Sequence, residues 1–301
     1  MSATASRRAL LLGSAGLAGS ALSTALGARD GVSRTAGARI KLGLNAYSFD
    51  KPLRAGSTTL ADLVAFCARN GIEGLDATGY YFPGYPKVPS DDSIFALKRT
   101  AFVNGVAISG TGVRNDFAVA DAPARRADVQ LVKDWVVAAA KLGAPLLRVF
   151  TGRKVPDGYT FDQVVKWMAP DFQECAEYGR RHGVVLGLQN HNDFLRTADE
   201  TIRVLEAVGS DWFGLVLDVG SLRQGDPYAE IEKLLPYAVS WQLKENVGYG
   251  AKEVPTDLHK VKAIIDRGGY RGFLPLETLG EGDPTVKVER FLAQVRKVFR
   301  V

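Results

Sequence analysis

At 301 residues, with 46% hydrophobic and 24% charged side chains, the chain carries enough apolar material for a large core, which excludes a disordered or fibrous protein. Its formal charge of +5 falls to +2 without residues 1–38, which hold Arg7, Arg8, Arg29 and Arg34 against Asp30 alone. A remainder so nearly neutral, with no run of lysines and arginines interleaved with aromatics, excludes a nucleic-acid-binding footprint.

The chain opens with Ser6, Arg7 and Arg8 ahead of an apolar run rich in Ala, Gly, Leu and Ser over residues 9–26. Paired arginines before a mildly hydrophobic segment read as an export signal of the twin-arginine type. Residues 1–38 are therefore expected to be signal and linker. Ala36, Gly37 and Ala38 offer a small-residue cleavage site, with Ala21, Leu22 and Ser23 as a competitor. The run is glycine-rich and marginal in length for a membrane span, so no stable insertion is expected after cleavage and the product is expected in the periplasm or outside the cell.

From residue 39 onward one small pattern returns: an amphipathic helix ends at a glycine and a β-rich apolar run follows almost at once. Instances are "FCARNG-IEGLDA", "TAFVNG-VAISGTG", "AAAKLG-APLLRVF", "YGRRHG-VVLGLQN", "LEAVGSDW-FGLVLD" and "IIDRGGYRG-FLPLE". Glycine supplies the left-handed cap that lets a helix turn into a strand. Such alternation means βαβ units and a parallel sheet. With "IKLGLNAYSF" first and "AVSWQLKE" seventh, eight strands fall near residues 42, 73, 107, 146, 186, 215, 240 and 274. The expected fold is a single-domain α/β (β/α)8 TIM barrel over residues 39–301. A doubly wound nucleotide-binding fold would show a glycine-rich turn after its first strand, where this chain has "NAYSFDKPLRAG". Cys67 and Cys175 sit in helical segments that this order keeps apart, so two free, packed cysteines are expected.

Chemistry in such barrels gathers at the C-terminal strand ends. In chain order these ends offer Asn45, Tyr80 after strand two, Arg148 on strand four, then Gln189, Asn190 and His191 on strand five. The late strands add Asp218, then Gln242 with Lys244, and finally Glu277. Gln189, Asp218, Gln242 and Glu277 interrupt four apolar runs at similar depth, so their oxygens together form a candidate divalent-metal site. Taken singly, each is an ordinary strand-end polar residue that caps a loop or meets water. Gln242 and Lys244 lie two apart and face one side of their strand. Lys244 is then placed either to polarise a carbonyl or enediolate oxygen or to ion-pair with Asp218 or Glu277.

Through "LGLNAYSFD", "GIEGLDATGYYFPGYP", "PLLRVF", "LGLQNHNDF", "GLVLDVGS", "WQLKE" and "FLPLET", nearly all of residues 40–300 resemble the xylose isomerase-like TIM barrel superfamily of sugar isomerases and epimerases. The resemblance implies a divalent metal held by a Glu after strand five, an Asp after strand six, a His on strand seven and a Glu after strand eight. Those places are Gln189, Asp218, Gln242 and Glu277 here, and a further family histidine falls on Ser221. Two carboxylates and two amides make a hard ligand set, so Mn²⁺ or Mg²⁺ is the expected metal, with a degenerate, metal-free site as the alternative. Gln189 can still ligate through oxygen but cannot act as a general base.

The resemblance also implies the activity: an exported, metal-dependent enzyme that moves a proton α to a carbonyl of a non-phosphorylated sugar or keto-sugar, with elimination from a 3-keto-glycoside as a variant. Glu277, His191 and Lys244 are the expected catalytic residues. Asn45, Tyr80, Arg148, Asn190 and Gln189 are the expected substrate contacts, with a small carbohydrate as the partner. The alternative is a non-catalytic periplasmic barrel that binds a sugar or cyclitol. The related endonuclease IV branch needs several histidines around its metals, and only His191 lies near this mouth.

Overall fold

The computed structural model describes residues 31–34, 36–191, 194–222, 224–250 and 252–301, so the greater part of the expected export signal lies outside the described residues. The helix-glycine-strand pattern is realised as expected. The helix Phe161–His182 starts on a capping box made by Thr160 and Gln163 and stops at Gly183, whose φ of +69° a side-chain-bearing residue adopts only with strain. Val184 then leads straight into a strand.

Ten strands follow in chain order. They are β1 (Arg39–Asn45), β2 (Gly74–Asp76), β3 (Ala107–Gly112), β4 (Leu146–Val149), β5 (Val185–Gln189), β6 (Phe213–Asp218), β7 (Ala238–Lys244), β8 (Asn246–Tyr249), β9 (Lys252–Pro255) and β10 (Arg271–Glu277). Eight of them close a parallel barrel in the order β1-β10-β7-β6-β5-β4-β3-β2, with helices between strands: a (β/α)8 TIM barrel in one domain. The ring shuts where β1 pairs with β10, from Arg39 opposite Arg271 to Leu44 opposite Leu276. The remaining two strands form an antiparallel hairpin, β8–β9, that the sequence reading missed. Gly250, at φ +60°, stands at its turn. The hairpin follows β7 directly and brings Asn246 and Glu253 to the rim of the barrel's C-terminal end.

Strand alternation divides the core into two compartments. One set of side chains, including Leu188, Leu215, Leu217 and Trp241, is fully buried on the helix-facing side. The other set points to the barrel axis, and there the strand ends turn polar. At the opposite, N-terminal end, the chain ahead of β1 lies against the barrel floor. Val32 donates its N–H to the Pro236 carbonyl at 2.7 Å, and Arg34 donates to the Ala238 carbonyl with its guanidinium over the Tyr270 ring. The packed unit thus begins before the first strand. Among the described residues no helix is long and apolar enough to cross a membrane.

Cys67 and Cys175 are both free and buried, as expected. Burial pushes each thiol up to about 12, which starves it of the reactive thiolate at neutral pH. The native protein is expected to leave a thiol reagent such as dithiobis-nitrobenzoate unreacted, and to release two equivalents of chromophore once denatured; prompt native labelling would contradict this burial.

Candidate active site

Register builds the site. Gln189 tops β5, Asp218 tops β6 opposite Gln242 of β7, and Lys244 of β7 stands opposite Glu277 of β10. All of these side chains point to the axis, because each lies at an even spacing from other axis-facing residues on its strand. Below them Arg148 of β4 pairs in register with Gly112 on one side and Gly187 on the other. Neither neighbour has a side chain, and that leaves room for the largest polar residue of the interior. A Cβ on Gly112 would fall 2.8 Å from the Arg148 guanidinium.

Arg148 is 2% exposed and reaches upward with both terminal nitrogens. Nη1 donates to Gln189 Oε1 and Nη2 to the Tyr80 hydroxyl, each at 2.9 Å. Gln189 in turn donates Nε2 to Asp218 Oδ2 at 2.6 Å and to Gln242 Oε1 at 2.5 Å. Its amide orientation follows from these neighbours: one donor faces the oxygen and two acceptors face the nitrogen. Asp218, fully buried, is the hub. Its Oδ2 accepts from Gln189, from the Ser221 hydroxyl at 2.8 Å and from Lys244 Nζ at 2.8 Å, while Oδ1 accepts the Gly220 N–H at 3.0 Å. Lys244 Nζ also lies 3.4 Å from Glu277 Oε1.

These contacts set the charges. Burial opposes ionisation of Asp218, but the Lys244 ammonium, His191 and the Ser221 hydroxyl outweigh it and hold the carboxyl below its ordinary range. Burial pushes the Glu277 carboxyl above its ordinary range; the charge of Asp218 adds to this, and Lys244 and Arg148 oppose it. Burial opposes the charge of Lys244, yet the two carboxylates raise its pKa above the usual lysine value. Arg148 is held firmly cationic by Tyr80, Asp76 and Glu277 despite its burial.

Above this layer opens a cavity of about 620 Å³. Lys244, Glu277, Gln189 and Gln242 form part of its wall, with Tyr47, Tyr80 and Phe150 as aromatic sides. His191 reaches the same cavity and stands edge-on to Phe150 at 5.6 Å between ring centres. Glu277, His191 and Lys244 therefore share one cavity, as do Tyr80, Arg148 and Gln189.

Two expected substrate contacts sit elsewhere. Asn190 is fully buried and staples two strands: its Nδ2 donates to the Asp218 carbonyl at 2.9 Å and its Oδ1 accepts the Asp218 N–H at 2.8 Å. Asn45 is also fully buried and caps the turn after β1, its Oδ1 accepting the Tyr47 N–H at 2.9 Å. Asn190 thus serves the backbone with both ends of its amide and Asn45 with its oxygen, while the buried Asn45 Nδ2 has no hydrogen-bond partner among the described residues; neither lines the cavity. Arg114, which stacks over Tyr80 at 4.9 Å, lines the cavity instead. Its place after the third strand was the only sequence signal for it.

The donor set fits a divalent cation poorly. Gln189 presents N–H groups, not oxygen, to Asp218 and Gln242, and its oxygen is taken by Arg148. Asp218 Oδ2, with its two lone pairs, already accepts three donors. Among the described residues no group of three or more His, Cys, Asp and Glu side chains is placed to hold a metal. The four positions that the resemblance marks as ligands do converge, but two of them, Asp218 and Glu277, hold an ammonium group.

Comparison with known proteins is consistent with this architecture. The family described as a xylose isomerase-like TIM barrel matches residues 64–296. The chain matches no curated protein by sequence. Among solved structures it is similar to D-psicose 3-epimerase with D-tagatose from Clostridium cellulolyticum H10 (17% identity, TM-score 0.72, 86% of this chain and 99% of that one). It is similar to 3-keto-D-glucoside 4-epimerase from E. coli in its apo form (13% identity, TM-score 0.70, 86% and 100%). It is also similar to the IolI protein with a bound zinc atom (15% identity, TM-score 0.70, 87% and 100%).

Proposed function

The chain belongs to the xylose isomerase-like TIM barrel family, and from that premise we propose that its mouth is a carbohydrate active site that moves a proton α to the carbonyl of a non-phosphorylated keto-sugar. The observation that carries this reading is the pair at the cavity wall: the Glu277 carboxyl and the Lys244 ammonium, 3.4 Å apart. A base beside a fixed cation is what enolisation requires. Glu277 takes the proton from the α-carbon, the C–H electron pair becomes the C=C bond of an enediolate, and Lys244 stabilises the charge gathering on the former carbonyl oxygen.

Burial suits Glu277 to this task, since a carboxyl raised above its ordinary range is a stronger base than a solvated one. His191, on the same cavity, is placed to protonate a departing or neighbouring oxygen. Aromatic faces of Tyr80 and Phe150 suit the C–H faces of a sugar ring, and a cavity of about 620 Å³ suits one or two rings. With Gln189 neutral and bound on both ends, position 189 supplies no second base to work opposite Glu277. One-base chemistry, such as ketose isomerisation or elimination from a 3-keto-glycoside, follows more readily than two-base epimerisation.

The paired arginines Arg7 and Arg8 and the apolar run of residues 9–26 support export to the periplasm or beyond, where sugars are not phosphorylated as a rule. The neutral Gln189 favours one other reading, capture of a sugar without turnover. Incubation of the purified protein with ketohexoses and 3-keto-glucosides in D₂O, followed by mass spectrometry, separates the two. Deuterium entering the α-position is the expected result; tight sugar binding without any exchange would leave the capture reading in its place.

A further inference from the structure

We propose that the Lys244 ammonium is a built-in substitute for the family's divalent cation, seated between Asp218 and Glu277, so that this barrel works without a metal. Position comes first. The two residues that would neutralise a cation here are the two that hold Nζ, at 2.8 Å and 3.4 Å. A divalent ion in the same place would meet that ammonium, whose charge Asp218 and Glu277 already answer, with the Arg148 guanidinium, itself faced by Asp76 and Glu277, close by. Buried charge of one sign without a partner is strongly unfavourable.

The surrounding sequence is fitted to the lysine stem. A Cβ on Gly220 would fall 2.4 Å from Lys244 Cδ, so the glycine two residues after Asp218 is what lets the side chain pass. Next to it, Ser221 donates to the same carboxylate oxygen that Lys244 uses, where an imidazole ligand would aim a lone pair at a metal. Gln189 adds a third donor to that oxygen. The departures at 189 and 221 and the glycine at 220 are thus one arrangement, and its centre is Asp218 bound to an ammonium.

An ammonium differs from a metal in what it asks of a substrate. Of its three protons, two serve Asp218 and Glu277, and one remains for a carbonyl oxygen at the cavity. A metal chelates two neighbouring oxygens; this site grips one. The predicted substrate class therefore includes ketones whose adjacent hydroxyl is methylated or absent. This part rests on the proton-transfer reading above, while the claim about the cation seat does not.

The test uses Mn²⁺ alone, added to the full-length purified chain and quantified by electron paramagnetic resonance and by elemental analysis after desalting. Wild type is expected to retain none. A Lys244→Ala, Gln189→Glu double variant, which removes the ammonium and restores a carboxylate, is expected to retain one equivalent. Melting and circular dichroism establish that the variant is folded; Lys244→Met with Gln189→Glu serves if it is not. A wild type that retains one equivalent, lost in Glu277→Gln, would overturn the proposal, as would folded double variants that retain none. In a second arm, α-proton exchange by wild type is expected to be unchanged in a chelator, and loss of exchange reversed by Mn²⁺ would overturn it as well. Absence of exchange with every keto-sugar would sink the proposed activity alone, because the Mn²⁺ titration still decides who holds the seat.

Discussion

Replacing Glu277 by Gln is expected to lower the rate of α-proton exchange by about 10²–10⁴-fold, the usual contribution of a positioned general base. The substitution keeps the shape of the side chain and its place at the cavity, and removes only the capacity to take a proton. Lys244 retains Asp218 at 2.8 Å as its anionic partner, so the ammonium stays where it is. Substrate affinity should change little beside the loss in rate. Isothermal calorimetry with the keto-sugar that exchanges fastest, paired with deuterium incorporation by mass spectrometry, separates the two quantities. A Glu277→Gln variant that exchanges at the wild-type rate would move the base elsewhere, with His191 the next residue to test.

The largest effect on stability is expected from Asp218→Ala. This carboxylate is fully buried and accepts from Gln189, Ser221, Lys244 and the Gly220 backbone. Its removal leaves the Lys244 ammonium with Glu277 alone and strands three neutral donors inside the barrel. Breaking a buried pair on one side costs about 3–5 kcal/mol. In a domain of this size each kcal/mol moves the midpoint by roughly 2–4 °C, so a loss of about 6–20 °C is expected in a thermal melt. Asp218→Asn keeps an acceptor for two of the donors and should fall between. An Asp218→Ala variant that melts with the wild type would mean that the hub contributes nothing to the fold.

The fold was legible from residue 39 onward because its units are local. Six of the helices run into a left-handed glycine, Gly71, Gly105, Gly143, Gly183, Gly209 and Gly269, that turns the chain at once into a strand, and so regular an alternation admits few topologies. The β8–β9 hairpin escaped because Asn246–Tyr249 and Lys252–Pro255 are four residues each, too short for an alternation to stand out. In the site, position was legible and orientation was not. Strand ends put Gln189, Asp218, Gln242 and Glu277 around one point, as the spacing promised. That Gln189 turns its nitrogen to Asp218 depends on Arg148 claiming the oxygen from across the barrel. That Lys244 pairs with both carboxylates depends on a missing Cβ at Gly220. Asn190 and Asn45 lie outside the cavity lining for a related reason, since an amide at a strand end can serve either a ligand or nearby backbone: Asn190 bonds the neighbouring strand at Asp218, and Asn45 bonds its own turn at Tyr47.

The place where the ring shuts also sets an order in time. β1 begins at Arg39, and the partner that covers one of its edges begins at Arg271, so the first strand to leave the ribosome waits for the last. β2 through β7 can each pair with a neighbour already made, whereas β1 keeps an open edge until almost the whole chain exists. Arg271 acts along that join by bonding the Gly37 carbonyl at 2.5 Å, and Arg34, ahead of β1, reaches past it to the Ala238 carbonyl of β7. A ribosome stalled before β10 would therefore carry an unfinished sheet with two exposed edges and no closed mouth, and the catalytic layer, which needs Glu277 from that last strand, comes into being only when the barrel does.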